Sequence, residues 1–425
     1  MTYEEALIYI HSVIWRGKRL GLSRICTLLS RMGNPEKELK FVHIAGTNGK
    51  GSTAAMTASV LQEAGYRTGL FISPFIHCFN ERMQINGCPI EDVELVELVE
   101  EIRPLAEAME DKPTEFELIT ALAFAYFRKN HCDIVVLEVG LGGKMDSTNV
   151  IGTPEAAVIT ALGLDHTKEL GDTIEEIAAA KAGIIKENGT VVFYGQNAVA
   201  LPIIEETAKR MHCKLLLPDY DSLHLEARDA DGQRFSYGGR TGLRIRLLGT
   251  YQLYNAAVVI ETIQVLQRQG WNISDVALQK GLSAARWTGR FENICSRPRI
   301  FVDGSHNPQG MQATAASLRA YVPQGGITFL VGVLADKDPA GMMGELTGLA
   351  SSFIAVTPPS MRAMEAAELA GLLRTMTDRP VQAAASLEEG CALALKAAGP
   401  DGVICALGSL YMVGDLTRIF REMTE

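Results

Sequence analysis

The stretch "HIAGTNGKGST", residues 43–53, decides how the chain is read. It begins inside an apolar run, "KFVHIA" (40–45), and runs into "STAAMTASVLQEAG" (52–65), a helical pattern closed by Gly65. A Gly-Lys-Gly-Ser string alone is often an exposed turn. Between a strand and a helix it becomes a phosphate loop, because backbone N–H groups and a helix N-terminus converge on one anion. The expected nucleotide-binding residues are Gly46, Thr47, Asn48, Gly49, Lys50, Gly51, Ser52 and Thr53. The glycines let the chain wrap closely, Lys50 supplies charge, and the Ser52 hydroxyl suits Mg²⁺.

Working outward, "TGLFIS", "DIVVLEV", "AAVIT" and "TVVFY" read as further short apolar strands, each followed by a turn and a helical segment. That alternation predicts an α/β fold with a mostly parallel sheet. "TEFE" at 114–117 predicts a capping box. Between about 215 and 250 the pattern becomes hairpin-like, with "RFSYGGRTGLRIRLLG" alternating around Gly238–Gly239. A second α/β series, "RIFVD", "ITFLVGV", "SFIAVT" and "GVICAL", begins near 299. The expected organisation is an ATP-binding domain over residues 1–293 and a smaller Rossmann-like α/β domain over 294–425. The polar, Pro-containing "WTGRFENICSRPR" reads as the connector.

Composition narrows the function. The formal net charge of −10 argues against a nucleic-acid or membrane-surface binder, so anionic substrates require local cations. Eight cysteines without a C-x-x-C pair give no zinc or thioredoxin signal and suit a reducing, cytoplasmic setting. The acidic start "MTYEEALIYIHSV" is unlike a signal peptide, and no apolar run approaches the ~20 residues of a membrane span.

Two more segments carry chemistry. In "DIVVLEVGLGGKMDSTN", Glu138 stands at a strand's carboxyl end, where open α/β sheets bind ligands and where a carboxylate suits magnesium. In "TALGLDHTKELGDTIEEIAAAKAGIIK", His166 follows another strand and Lys181 lies on the next helix. A lone histidine is ordinarily structural; at a third strand end it joins the same rim.

These strings, with "SP" at 73, "ERMQING" at 81, "GTYQLYNAA", "WTGRFE", "VDGSHNP" and "LGSLYMVG", occur in an order that resembles the Mur-ligase superfamily. Within it the chain is similar to the folylpolyglutamate synthase family, including members that also have dihydrofolate synthase activity. The likeness runs from "RLGLSRI" to "SLYMVG". Lys144, Ala180, "WTGRFE" and "GSHN" depart from the usual Arg, Glu, "WPGRFE" and "GAHN", and Ala180 alters the setting of Lys181.

The resemblance implies a P-loop Mur-type central domain and an ATP-dependent ligase. It would join L-glutamate to a folate, or to dihydropteroate, through an acyl phosphate, with two Mg²⁺ ions as cofactors. Ser52 and Ser73 would hold one ion, and Glu138 and His166 the other; Lys50, Lys181, Glu138 and His166 form the implied catalytic set. Lys181 matches a carbamylated lysine. Asn255, Arg290 and Asp303 match nucleotide-contacting positions, His306 and Ser409 match positions that hold the incoming glutamate, and Arg82, from "ERMQING", is a further candidate for it. A cytoplasmic monomer whose second domain closes onto the first through a hinge near 293–299 is expected, because water would hydrolyse an acyl phosphate. Two alternatives stay open: a peptidoglycan-precursor ligase of the same superfamily, and a nucleotide-gated binding protein without ligase activity.

Overall fold

The computed structural model describes residues 1–12 and 21–424. Arg19 and Leu20 of the "RLGLSRI" stretch lie outside the described residues. By internal contacts the chain forms two compact units. The first holds Met1–Leu223, Tyr237–Leu243 and Asn255–Ala285; the second holds His224–Ser236, Arg244–Tyr254 and Arg286–Glu425.

The first unit is built on β1 (Phe41–Ala45), β2 (Thr68–Phe71), β3 (Met83–Ile85), β4 (Cys88–Pro89), β5 (Ile134–Glu138), β6 (Ala156–Ile159), β7 (Thr190–Phe193) and β8 (Lys214–Leu216). Their order is β4-β3-β2-β5-β1-β6-β7-β8. The six from β2 to β8 run parallel, and β3 and β4 extend one edge antiparallel. Every residue of β1, β5 and β6 is buried. This explains their unbroken apolar sequences, since helices cover both faces of a parallel sheet.

The chain leaves β1 toward β2 and β5 on one side and later crosses to β6 on the other. Such a reversal opens a crevice at the carboxyl ends of the central strands. The helix after β1 spans Lys50–Glu63 and is buried along Gly51–Thr57 and at Val60 and Leu61. Small side chains let it lie close to its neighbours, and Ser59 Oγ donates to the Gly281 carbonyl at 2.8 Å. The expected capping box is present: Glu117 N donates to Thr114 Oγ1 and Thr114 N to Glu117 Oε2.

A three-stranded antiparallel sheet, order β11-β10-β9, follows: β9 (His224–Asp229), β10 (Gly232–Tyr237) and β11 (Arg240–Ile245), with the predicted turn at Gly238–Gly239.

The second unit carries β12 (Glu292–Ser296), β13 (Arg299–Asp303), β14 (Ile327–Val331), β15 (Ala350–Ala355), β16 (Val381–Ala383) and β17 (Val403–Leu407), in the order β12-β13-β17-β14-β15-β16. All run parallel except the edge strand β12. Residues 292–296, read from sequence as connector, are therefore a strand. Their polar, half-buried composition is that of an edge, where only one side pairs. Stacked Phe291–Phe301 and Phe329–Phe353 pairs, with centroids 4.7 and 5.5 Å apart, anchor the core on one face of this sheet.

Candidate active site

In the first unit the strand register places the predicted residues on one rim. Ile44 of β1 aligns with Glu138 of β5, and Ala45 with Ile159 of β6, so the phosphate loop, Glu138 and the segment to His166 leave neighbouring strand ends. Ser73 follows β2, the next strand beyond β5.

The loop is held by its own backbone. Thr47 N and Asn48 N donate to the Ala161 carbonyl at 2.9 and 3.1 Å. Thr47 Oγ1 donates to Gly163 O at 3.0 Å and accepts from Gly163 N at 3.1 Å. Two positions require glycine. Gly46 has φ 154° and a side chain there would overlap Thr160 Oγ1; Gly49 has φ 90° and a Cβ would sit 2.7 Å from Asn255 Oδ1. The second contact also brings Asn255, a predicted nucleotide contact, to the loop. Helical geometry begins at Lys50, and the start of a helix carries N–H groups suited to an anion. Ser52 and Thr53 are buried in the first turn, and Thr53 Oγ1 has no partner among the described residues.

Glu138 is 5 % exposed and its Oε2 accepts the Ser73 backbone N–H at 3.1 Å. The two candidate ion ligands are thus directly bonded. Lys50 Nζ donates back to Gly46 O and Thr47 O at 3.2 and 3.3 Å. Lys181, 5 % exposed, donates to the same Gly46 carbonyl at 2.8 Å. Burial, reinforced by the nearby Lys50 charge, lowers its pKa to about 7, while Asp165 and Asp146 pull it up. A buried lysine near neutrality is the chemical requirement for an amine that must react as a free base. The Ala180 departure leaves Lys181 on the site rim.

His166 caps the short helix Thr167–Leu170 in a left-handed conformation, φ 52°. It is half-buried, with Nδ1 3.9 Å from Glu169 Oε2. Its neighbour Asp165 is buried and accepts the His166 N–H at 2.8 Å.

A buried polar chain beneath the loop was not singled out in the sequence. Thr148 Oγ1 donates to Asp146 Oδ1 at 2.5 Å, and Asp146 Oδ2 accepts from Leu141 N at 2.8 Å. With its proton given to Asp146, Thr148 Oγ1 accepts from His43 Nε2 at 2.8 Å. Burial holds His43 neutral, its pKa lowered to about 3, and raises that of Asp146. The chain ties the turn after Glu138 to β1, three residues before Gly46. The available signal was the Asp-x-Thr spacing of "DST", an Asx turn between two glycine-rich motifs.

Arg82 lies in the first unit, its guanidinium 5.2 and 5.7 Å from the Phe75 and Phe79 ring centres. The other glutamate candidates stand in the second unit, so the two sets are not brought together within one unit.

There, register aligns Asp303 of β13 with Leu407 of β17. Asp303 is buried and Oδ1 accepts Ser305 N at 2.6 Å, with a further bond from Ser305 Oγ; Oδ2 accepts Tyr251 OH at 3.2 Å. His306 Nδ1 meets Gly304 O at 2.8 Å, and Arg290 Nη1 donates to the same carbonyl at 3.4 Å. Ser409 Oγ accepts Tyr411 N at 3.3 Å, starting the turn after β17. Arg290, Asp303, His306 and Ser409 therefore share one strand-end rim.

Among the described residues no three His, Cys, Asp or Glu side chains cluster as a metal site. The donors present fit Mg²⁺ rather than a softer metal: a buried carboxylate at Glu138 and a hydroxyl at Ser52, with phosphate and water oxygens to complete the shell. No helix among the described residues is long and apolar enough to cross a membrane.

Comparison with known proteins follows the same outline. The Mur ligase middle domain matches residues 44–263, and the Mur ligase glutamate ligase domain residues 289–410. A dihydrofolate synthase/folylpolyglutamate synthase of Bacillus subtilis is 36% identical over 98% of this chain and 99% of its own. A folylpolyglutamate synthase of Lacticaseibacillus casei is 38% identical over 97% of each. The structure of Escherichia coli FolC in complex with DHPP and ADP superposes with a TM-score of 0.88 at 26% identity, covering 100% of this chain and 99% of that one. These likenesses run from end to end: the chain belongs to the folylpolyglutamate/dihydrofolate synthase family of Mur ligases.

Proposed function

We propose that the protein is an ATP-dependent ligase that joins L-glutamate to the carboxylate of a folate, and also to dihydropteroate. The observation that carries this reading is the shared rim of the first unit, where the phosphate loop, the Ser73–Glu138 pair and buried Lys181 meet. The full-length relatives and FolC with DHPP and ADP support the substrate class.

A carboxylate and an ammonium do not condense at neutral pH, so the carboxylate must first become a better electrophile. Its oxygen attacks the ATP γ-phosphorus in line and ADP leaves. The glutamate amine, having lost its proton, then attacks the acyl carbon and phosphate leaves. In such a transfer the protein mainly positions groups and offsets charge. The loop N–H groups and the helix start orient the phosphates; Lys50 swings from the Gly46 and Thr47 carbonyls to the transferring group. Ser52 and Ser73 would hold one Mg²⁺, Glu138 and His166 a second. Bound there, these ions neutralise the phosphate oxygens during transfer. Asn255, Arg290 and Asp303 serve the nucleotide, and His306 and Ser409 the incoming glutamate. Arg82, held against two phenyl rings, is the least supported member of the substrate set.

Lys181 enters as a carbamate. A free amine adds to CO₂ and releases one proton, and the lowered pKa makes that amine available near pH 7. The resulting carboxylate would join Glu138 at the second ion. The protein works as a cytoplasmic monomer; light scattering and fractionation check these two points.

The deciding experiment gives purified protein ATP, Mg²⁺ and glutamate with dihydropteroate or tetrahydrofolate in separate reactions. Product masses should rise by one glutamyl unit or more in both. Growth only with tetrahydrofolate removes the dihydropteroate activity, and phosphate release without any glutamylated product removes the ligase reading.

A further inference from the structure

The loops that follow β15, β14 and β17 meet around one guanidinium. Arg362, in the loop after β15, donates from Nη1 to Asp336 Oδ2 at 2.8 Å and from Nη2 to Tyr411 OH at 3.4 Å. Asp336 belongs to the loop after β14, and Tyr411 to the turn that Ser409 begins after β17. Backbone bonds fix this arrangement: Ala335 N donates to Arg362 O at 2.8 Å, Met364 N to Val333 O at 3.0 Å, and Gly332 N to Leu407 O at 3.2 Å. The guanidinium is therefore placed beside the Ser409 turn by three neighbouring strand ends.

Stability does not account for this placement. The Arg362 and Asp336 side chains remain 47% and 31% exposed, and ion pairs that wet add little to folding. Tyr411 is 48% exposed and Met361 fully so. A guanidinium also has five N–H donors in a planar fork, more than these two partners use. Of the rim's other side chains, Asp303, Asp336 and Ser409 carry no positive charge, and the Arg290 guanidinium donates to the Gly304 carbonyl. For a dicarboxylic amino acid, a planar fork matched to a carboxylate supplies geometry as well as charge.

We propose that Arg362 binds a carboxylate of the incoming glutamate, with Asp336 and Tyr411 holding its guanidinium toward Ser409. This rests on the glutamate assignment of the second unit's rim given above. It makes the loop after β15 a determinant of amino-acid choice, because a neutral side chain or a missing carboxylate would leave the fork unpaired.

The test is steady-state kinetics of Arg362→Ala, with each substrate varied in turn. Loss of a charge-assisted contact should raise the glutamate KM roughly 10- to 100-fold, with ATP and folate KM values little changed. Arg362→Lys, which keeps charge and loses the fork, should fall between wild type and R362A, and Tyr411→Phe should give a smaller rise in glutamate KM alone. If R362A is too unstable to assay, Arg362→Gln replaces it with the same expectation. An unchanged glutamate KM, or a parallel loss for all three substrates, overturns the assignment. A wild-type protein that forms no glutamylated product overturns the ligase reading itself, and the two failures are read in separate reactions.

Discussion

The strand-end rim of the first unit and that of the second are built differently. In the first, polar groups are buried and bonded to one another. Lys181 and Lys50 share the Gly46 carbonyl, Glu138 accepts from Ser73, and the Asp146–Thr148–His43 chain underlies the loop. In the second, Asp303 and Ser409 are buried, yet His306, Tyr411 and Arg362 reach outward from separate loops. The difference matches two tasks. Phosphoryl transfer needs donors fixed before charge develops, since reorganisation would cost barrier height. Capture of a small amino acid needs specificity, which loops on a rigid sheet supply. Changes in the first rim should therefore act on kcat, and changes at His306, Ser409 and Arg362 of the second on the glutamate KM.

Lys50→Ala gives the sharpest test of that division. Phosphate release should fall by roughly 10³-fold in kcat, as for loss of a principal charge in phosphoryl transfer. A change confined to KM would break the comparison. Glu138→Gln is expected next, with roughly 10²-fold lower kcat and a higher Mg²⁺ requirement in a titration of rate against metal. A variant whose Mg²⁺ dependence matches wild type removes Glu138 from the ion site. On the other rim, His306→Ala should raise the glutamate KM roughly tenfold while that for ATP stays put. Equal effects on both would show that the rims do not divide the work.

A smaller effect concerns stability and pH. Lys181 has a pKa of about 7 in the fold, against an ordinary 10.5. Between those values the unfolded chain binds a proton that the folded chain does not, so stability from this group rises with pH. Below pH 7 both states are protonated and the burial penalty is complete. In CO₂-free buffer, denaturation from pH 7 to 10 should show a slope of up to about 1.4 kcal/mol per pH unit, absent in Lys181→Met. A slope shared by both proteins would place the titration elsewhere. The smallest effect is remote from either rim: Thr114→Ala should cost about 1 kcal/mol of stability by urea denaturation. It removes half of a capping box whose Glu117 also accepts from Arg24 Nε at 3.0 Å.

These contrasts also show what the sequence could reveal. The loop of the first rim was legible because it is local: strand, glycine turn and helix lie within 25 residues, and only glycine serves at Gly46 and Gly49. The capping box and the fully buried strands were legible for the same reason. The strand β12 was not, because an edge strand needs only partial burial and its polar sequence imitates a connector. The Asp146–Thr148–His43 chain was hidden because His43 stands more than a hundred residues from the other two and meets them only through β1 and β5 pairing. Arg82 was singled out from "ERMQING", and only the folded chain shows its cation over two phenyl rings. Arg362 drew no attention, since nothing in "PPSMRAM" tells that three loops will converge on it.

The central claim is that ATP is consumed to phosphorylate the acceptor's carboxylate. It is tested most directly by supplying a folate labelled with ¹⁸O in its glutamyl carboxylates, with ATP, Mg²⁺ and glutamate, and analysing the released phosphate by mass. The account predicts that one ¹⁸O passes into phosphate for the first glutamate joined to each labelled folate. Phosphate free of label, with the ligation product formed, would contradict it.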